Sequence, residues 1–308
     1  PGDGVALIAP AGPVDDATIE RALERCRALG FQPVLGAGAR SRSGYLAGPD
    51  RERARDLAAA IQGDAAGIWA LRGGYGTLRT LDHVDLAPLR DRPKAFIGFS
   101  DNTAVHLALL REGVVSFHGP HAGYEHFPPA TEAAFRAVVM TPEPAGPLPV
   151  PATARPVALA EGVAEGPLVG GNLSLLAATC GTRHQPDTRG AILFIEDVAE
   201  PPYRIDRMLT QLRLAGLVGP VAGVALGQFG DAGGPEDDGA PPSDGESSLP
   251  DVLAELLAPL DVPVAFGLPF GHGRENWTLP LGVTARLDAS AGTLALLEAA
   301  TTTPGRDG

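Results

Sequence analysis

The sequence has almost no lysine. Lys94 is the only one among 308 residues, and it stands at the start of an apolar segment. A phosphate-binding loop of the Walker type needs a Gly-Lys-Ser/Thr string, and a pyridoxal enzyme needs a lysine for its Schiff base. A Walker-type phosphate-binding loop is therefore excluded, and Lys94 is the only residue that could form the Schiff base of a pyridoxal enzyme. We expect no cofactor.

Cysteine is also scarce. Cys26 and Cys180 are the only two, they lie far apart, and no CxxC spacing occurs. These facts exclude a zinc ribbon and a disulfide scaffold. Cys26 falls on the apolar stripe of a helical pattern, which predicts a packed thiol rather than a reactive one.

Runs of basic residues and long apolar runs are both missing. The formal net charge is -13, and no cluster of Lys or Arg would follow a phosphate backbone, so we expect no nucleic-acid partner. No apolar stretch approaches the roughly 20 residues of a membrane span, so we expect no membrane partner. The opening segment PGDGVALIAPAGPV lacks the regions of a secretory signal, and we expect a cytoplasmic protein.

Strand-like and helix-like segments alternate over the first 125 residues and again after residue 165. Such alternation predicts an α/β fold with a largely parallel sheet in each half. We expect an N-terminal domain of flavodoxin or Rossmann-like type over residues 1–145, a proline-rich linker over 146–165, and a second α/β domain over 166–308.

One segment differs from the rest in composition. Between Gly230 and Leu249 the chain carries six carboxylates, no basic residue and many Gly and Pro. This composition predicts a mobile surface loop, with a lid over the active site as the alternative.

Three apolar strand-like runs each end on a reactive residue. KAFIGF leads into Ser100, AILFI into Glu196, and VPVAFGLPFG into His272. Ligands of open α/β sheets bind beyond the carboxyl ends of the strands. A hydroxyl, a carboxylate and an imidazole so placed predict acyl transfer by a serine nucleophile, with the site in the cleft between the two domains.

Ser100 stands where a strand gives way to a helix, in GFSDN. A sharp strand-to-helix turn exposes a serine hydroxyl and directs the next N–H, here that of Asp101, at the same space. The strict motif has a second glycine where Asn102 stands. The alternative from this window alone is a helix N-cap, a position that Ser and Asp both favour.

Two glycine-rich turns are further candidates. In Arg72-Gly73-Gly74-Tyr75-Gly76, free backbone N–H groups would face an oxyanion or a phosphate. The turn that ends at Asn172 would line a substrate groove or only start a helix.

Other histidines and acids compete with the predicted pair. His118, His121 and His126 lie within nine residues, a density compatible with a metal site, a pocket rim or a plain loop. Their spacing lacks the HExxH pattern, and we expect no metal. Asp197 and Glu200 are alternatives to Glu196, which itself could merely cap the following helix.

Several long segments resemble the signature segments of one known family. They are IGFSDNTAVHLAL, GGNLSLLAATCGT, ILFIEDVAEPPYRIDRMLTQL, LGQF and LPFGHGRENWTLPLG. The sequence thereby resembles the LD-carboxypeptidases, serine peptidases that trim murein tetrapeptides and whose relatives protect against microcin-type antibiotics. The resemblance runs over nearly the whole chain.

The resemblance implies a set of roles. It maps the nucleophile onto Ser100, the acidic residue onto Glu196 and the histidine onto His272. It implies an oxyanion hole formed by the N–H of Asp101 and that of Gly73 or Gly74. It also implies metal-free hydrolysis of the bond between an L-diamino acid (lysine or diaminopimelate) and D-alanine in a muropeptide, by a cytoplasmic homodimer.

The leaving D-alanine carries a carboxylate, which an arginine would bind. Arg72, Arg204 and Arg207 are candidates, and Asn172 is a further candidate for substrate binding. Two alternative functions are carried forward: cleavage of a microcin-type aminoacyl or peptidyl nucleotide, and ligand binding without chemistry by a two-domain protein.

Overall fold

The computed structural model describes residues 2–230 and 247–302. Most of the acidic segment predicted to be a loop or lid lies outside the described residues. The chain divides into two compact units, Pro1–Phe127 and Pro128–Gly308. Each unit is an α/β structure built around its own sheet.

The sheet of the first unit is parallel. Its strands are β1 (Gly4–Ile8), β2 (Gln32–Leu35), β3 (Gly67–Ala70), β4 (Ala95–Gly98) and β5 (Ser116–His118). They pair in the order β2-β1-β3-β4-β5. This is the strand order of flavodoxin-like folds, and it confirms the fold class predicted from the alternating pattern.

Helices follow the strands in the first unit. They are α1 (Asp16–Ala28), α2 (Asp50–Gln62), α3 (Thr77–Leu81), α4 (Pro88–Asp91) and α5 (Thr103–Arg111). Helix α1 begins after Asp15, whose carboxylate accepts the N–H of Thr18 at 2.8 Å. Its apolar stripe includes Cys26, which is fully buried, and burial raises the pKa of that thiol to about 11. Cys26 is therefore a packing residue, as predicted.

The second unit has a mixed sheet of eight strands. They are β6 (Gly146–Pro147), β7 (Val157–Ala160), β8 (Val163–Asn172), β9 (Ile192–Glu196), β10 (Gly223–Gln228), β11 (Val264–Gly271), β13 (Thr284–Asp288) and β14 (Thr293–Leu296), while the short strand β12 (Leu279–Leu281) lies outside this sheet. Strands β8, β9, β10 and β11 are parallel neighbours, so their carboxyl ends share one edge. Antiparallel β13 and β14 form a C-terminal hairpin.

The helices of the second unit are α6 (Pro129–Val139), α7 (Leu173–Thr179), α8 (Pro202–Leu214) and α9 (Leu249–Leu257). The stretch 146–165, predicted as a linker, contains β6, β7 and the start of β8. The domain bounds 1–145 and 166–308 stay predictions. Over residues 2–230 and 247–302, no helix combines the length and the apolar character that crossing a membrane requires.

Close packing between β8 and β9 depends on Gly170. Its φ is +155°, and a Cβ placed there would lie 1.8 Å from the carbonyl oxygen of Phe194. Gly170→Ala therefore forces the strand that ends at Glu196 to move. We expect the free energy of unfolding to fall by about 3 kcal/mol or more, measured by denaturant titration.

The matched control is Gly219→Ala. Gly219 is exposed, has no atom within 4 Å of an added Cβ, and does not adopt a positive φ. The unfolding free energy should change by less than about 0.5 kcal/mol. Equal stability of the two variants would contradict the packing argument.

Candidate active site

Ser100 occupies a strained turn directly beyond β4. Its φ is +61°, a left-handed conformation that non-glycine residues rarely adopt, and the side chain is half-buried. The strand ends at Gly98, a single turn of 3₁₀ helix covers Ser100–Asn102, and α5 follows. This is the strand-turn-helix arrangement that exposes a nucleophilic serine, and strain of this kind is concentrated at functional sites.

The alternative role for Ser100, a helix N-cap, has no support in the structure. No side chain caps the 3₁₀ turn or α5. Asn102, which replaces the second glycine of the strict motif, turns its amide back to donate to the carbonyl oxygen of Phe99 at 3.2 Å. Gly98 makes room for it, since a Cβ there would lie 3.2 Å from the Asn102 side chain.

Gly73 lies against the serine. A Cβ built on Gly73 would be 2.9 Å from Ser100 Cβ and 3.1 Å from Ser100 Oγ. Gly74, with φ +112°, instead approaches Gly12, whose N–H donates to the Gly73 carbonyl at 3.0 Å. Of the two glycines predicted as oxyanion donors, Gly73 is therefore the one in contact with Ser100.

The carboxylate of Asp101 joins the serine turn to the glycine-rich loop. It accepts the backbone N–H of Thr77 at 2.8 Å, while Thr77 Oγ1 donates to the Asp101 carbonyl. Burial raises the pKa of Asp101, and hydrogen bonds from the backbone of Thr77 and Gly76 offset this only in part. These bonds between Asp101 and Thr77 hold the serine turn at a fixed distance from the glycine-rich loop.

Arg53 holds the same loop from the other side. Its guanidinium is fully buried and donates to the carbonyl oxygens of Pro10 at 2.6 Å, Gly76 at 2.8 Å and Gly48 at 3.2 Å. Asp50 pairs with this guanidinium and balances its charge. A single charged side chain thus fixes three loops at the carboxyl edge of the first sheet.

In the second unit, Glu196 and His272 form a direct pair. Glu196 is the last residue of β9 and is fully buried, and His272 follows β11. Glu196 Oε2 lies 2.5 Å from His272 Nδ1. The predicted carboxylate and imidazole are therefore brought together at the edge that the carboxyl ends of β9 and β11 share.

The environment of His272 favours its protonated form. Burial lowers the pKa of the imidazole, but the charge of Glu196, the hydrogen bond to it and the charge of Asp197 outweigh burial, so the pKa lies above the ordinary value of 6.5. A carboxylate on Nδ1 also fixes the proton there and leaves Nε2 as the basic nitrogen.

The glycines on both sides of His272 have a reason that the sequence did not reveal. A Cβ on Gly271 would lie 2.6 Å from Glu196 Cβ, and one on Gly273 would lie 1.3 Å from Gln228 Oε1. Both glycines let the backbone approach the side chains of neighbouring strands. Buried Asn276, which sequence reasoning missed, accepts the Gly271 N–H at 3.0 Å and fixes the turn.

Asp197, the first alternative to Glu196, has another function. Its carboxylate accepts Asn172 Nδ2 at 2.9 Å and Ser174 Oγ at 2.8 Å, and it also accepts backbone N–H groups. Burial, followed by the charge of Glu196, raises the pKa of Asp197. Asn172 begins α7 by accepting the N–H of Leu175. A contact between Asn172 and substrate stays a prediction.

The second alternative, Glu200, is also engaged elsewhere. It pairs with Arg204 at 3.4 Å along α8. Arg204 is exposed and lies near the ring of Tyr203, with Cζ 6.0 Å from the ring centroid. Arg207 is exposed on the same helix. Binding of substrate by Arg204 stays a prediction.

The histidine cluster of the first unit supports the serine turn. His121 is buried, and its Nε2 lies 3.1 Å from the carbonyl oxygen of Phe99 and 3.0 Å from Asn102 Nδ2. His118 is buried and His126 is exposed. Among the residues that the structure describes, no group of three or more His, Cys, Asp or Glu is arranged to hold a metal ion.

A cavity of about 420 Å³ lies beside this turn in the first unit. Its lining includes Arg42, Arg72, His121, Tyr124 and His126. Arg72, predicted as a carboxylate ligand, is exposed and donates one N–H to the carbonyl oxygen of Pro13 at 2.9 Å. Arg42 gave no signal in the sequence, because nothing local marks it as part of a pocket.

Comparisons with known proteins agree with this organisation. Residues 5–119 match the family model described as LD-carboxypeptidase N-terminal domain, and residues 165–287 match the model of the C-terminal domain. A probable murein peptide carboxypeptidase from Bacillus subtilis is 37% identical, covering 97% of this chain and 92% of its own length. The murein tetrapeptide carboxypeptidase of Pseudomonas aeruginosa is 34% identical, covering 94% of this chain and 95% of its own length.

Solved structures give the same fold. The muramoyltetrapeptide carboxypeptidase from Oxalobacter formigenes superposes with a TM-score of 0.81 at 34% identity, covering 95% of this chain and 97% of that one. The microcin C7 self-immunity protein MccF superposes with a TM-score of 0.84, covering 98% of this chain and 97% of that one. Its identity of 23% shows a shared fold only. The chain therefore belongs to the LD-carboxypeptidase family and is a serine-type carboxypeptidase.

Proposed function

We propose that this protein hydrolyses the bond between the L-centre of a diamino acid and the terminal D-alanine of a murein tetrapeptide, with Ser100, His272 and Glu196 acting as a triad. The observation that carries the proposal is the 2.5 Å contact between Glu196 Oε2 and His272 Nδ1. An imidazole held by a buried carboxylate is a general base, and Ser100 offers a hydroxyl in a strained turn for it to activate.

In the first half of the reaction, His272 Nε2 takes the proton of Ser100 Oγ as the oxygen attacks the scissile carbonyl. The N–H groups of Asp101 and Gly73 donate to the oxyanion that forms. Each such donor contributes roughly 100- to 1000-fold in rate. The imidazolium, stabilised by Glu196, then protonates the amine of D-alanine, which leaves.

In the second half, water attacks the acyl-enzyme. His272 takes a proton from this water, and the tetrahedral intermediate forms at the same two N–H groups. Collapse returns the proton to Ser100 and releases the shortened peptide. No step uses a metal or a cofactor.

Two alternatives have less support. The carboxypeptidases at 34–37% identity act on murein peptides by name, whereas the likeness to the microcin immunity protein is one of fold. Non-catalytic binding gives no reason for an imidazole–carboxylate pair. The proposal also includes a cytoplasmic homodimer, which rests on the family resemblance.

The test is release of D-alanine from a purified murein tetrapeptide. We expect the tripeptide and free D-alanine in equal amounts, with the same rate after chelator treatment. A processed microcin, an aminoacyl nucleotide, should be turned over far more slowly. Preferential cleavage of the nucleotide, or loss of activity on chelation, would overturn the proposal.

A further inference from the structure

The cavity in the first unit is lined by two arginines that pair with no acid among the described residues. Arg42 and Arg72 both line it and are both exposed. Within residues 2–230 and 247–302, neither forms an ion pair with Asp or Glu, and Arg72 is held only by its hydrogen bond to Pro13. Both arginines thus border the same cavity, and no described Asp or Glu pairs with either.

Acidic residues outnumber basic ones in this chain. The sequence has 37 Asp and Glu against 24 Lys and Arg. Two other arginines of the first unit do have acidic partners: Arg40 pairs with Asp16 at 3.0 Å, and Arg79 with Asp50 at 2.8 Å. Guanidinium groups bind carboxylates through two parallel N–H bonds, so unpaired arginines at a cavity are suited to an anionic ligand.

The cavity reaches the serine turn through one side chain. His121 is part of the lining, and its Nε2 bonds to the backbone of Phe99. Its Cε1 lies 3.1 Å from the Cβ position of Gly73, and that position is 2.9 Å from Ser100 Cβ. His121 therefore borders both the cavity and the serine turn. This position suits a ligand group close to the scissile bond.

We propose that Arg42 and Arg72 form a clamp for a carboxylate of the substrate in this cavity. The inference rests on the proposed function and adds Arg42 as a specificity-determining residue. Asp15 and Glu125 also line the cavity, which disfavours a polyanion and suits a ligand that carries an ammonium as well as a carboxylate. The carboxylate is that of the terminal D-alanine or that of the diaminopimelate side chain.

The kinetic test uses Arg42→Gln and Arg72→Gln, with Arg40→Gln as the matched control. Arg40 is an exposed arginine two positions from Arg42, and it pairs with Asp16 outside the cavity lining. We expect KM for the tetrapeptide to rise about 10- to 100-fold in each clamp variant, with kcat changed far less. KM should be unchanged in the control.

Three substrates distinguish the two carboxylates. They are the diaminopimelate tetrapeptide, the same peptide ending in D-alanine amide, and the lysine tetrapeptide. If the clamp binds the terminal carboxylate, KM of the wild type is high for the amide, and Arg42→Gln raises that KM no further. If the clamp binds the side-chain carboxylate, KM of the wild type is high for the lysine peptide, and Arg42→Gln raises that KM no further.

A binding measurement separates this proposal from the proposed function. The tetrapeptide is titrated calorimetrically into Ser100→Ala and into Ser100→Ala carrying Arg42→Gln, so no turnover is needed. We expect Kd to rise about 10- to 100-fold in the double variant. An unchanged Kd, or an equal change with Arg40→Gln, would overturn the clamp even if the wild type releases D-alanine. Absence of release by the wild type would instead count against the proposed function.

Discussion

Ser100→Ala is expected to lower kcat for D-alanine release by roughly 10⁴- to 10⁶-fold, because loss of a nucleophile removes the covalent step. The fold should remain intact, since Ser100 caps no helix and the Asp101–Thr77 bonds do not involve its hydroxyl. Activity is measured with the murein tetrapeptide, and the midpoint of thermal unfolding is measured on the same sample.

Ser248→Ala is the control, and it should lower stability without lowering activity. The hydroxyl of Ser248 caps α9 by accepting the N–H of Asp251 at 3.3 Å. Its loss should lower the unfolding free energy by about 1 kcal/mol while leaving kcat unchanged. If Ser100→Ala retained activity, the assignment of the nucleophile would be wrong.

Glu196→Gln is expected to lower kcat/KM by roughly 10²- to 10⁴-fold, because the amide no longer holds the productive tautomer or stabilises the imidazolium. It should also change the pH profile. His272 must be neutral to act as a base, so kcat/KM of the wild type rises with pH through a pKa above 6.5. Without the Glu196 carboxylate, burial lowers the pKa of His272 against the charge of Asp197 only, and the acidic limb moves to lower pH.

Asp197→Asn is the matched control for this carboxylate. Asp197 is the adjacent acid and raises the pKa of His272 by charge alone, after the two contributions of Glu196. Its hydrogen bonds go to Asn172 and Ser174. We therefore expect a small shift of the acidic limb in the same direction and a loss of stability. Equal effects of the two variants on kcat/KM would contradict the special role of Glu196.

The sequence predicted the parts of this molecule that depend on local pattern. Alternating strand-like and helix-like segments predicted the α/β fold with its parallel strands, and the helical pattern around Cys26 predicted α1. Ser100, Glu196 and His272 were predicted as site residues because a chemically distinctive side chain directly after an apolar strand is visible in the sequence.

Contacts between distant residues were not predictable in the same way. Nothing near Arg53 indicates that it bonds to Pro10 and Gly76, 43 and 23 positions away. The carboxylate of Asp101, expected at the start of α5, bonds to Thr77 at the start of α3 instead. The hydrogen-bond partners of these side chains depend on which loops meet at the edge of a sheet. Strand register and packing determine which loops meet.

The two glycines that flank His272 have a structural reason that lies in distant residues. In the structure they pack against Glu196 and Gln228. A single sequence does not show which side chains will pack against a glycine. Helix α6, over Pro129–Val139, was missed because prolines and small residues precede it and weaken the periodic signal.

The rate at which a fluorophosphonate labels the protein tests the assignment of the nucleophile most directly, with the modified peptide identified by mass spectrometry. A single adduct is expected, on Ser100. The labelling rate should rise with pH through the pKa of His272 and fall at least about 10³-fold in His272→Gln. An adduct on another residue, or equal labelling of Ser100 without the imidazole, would contradict it.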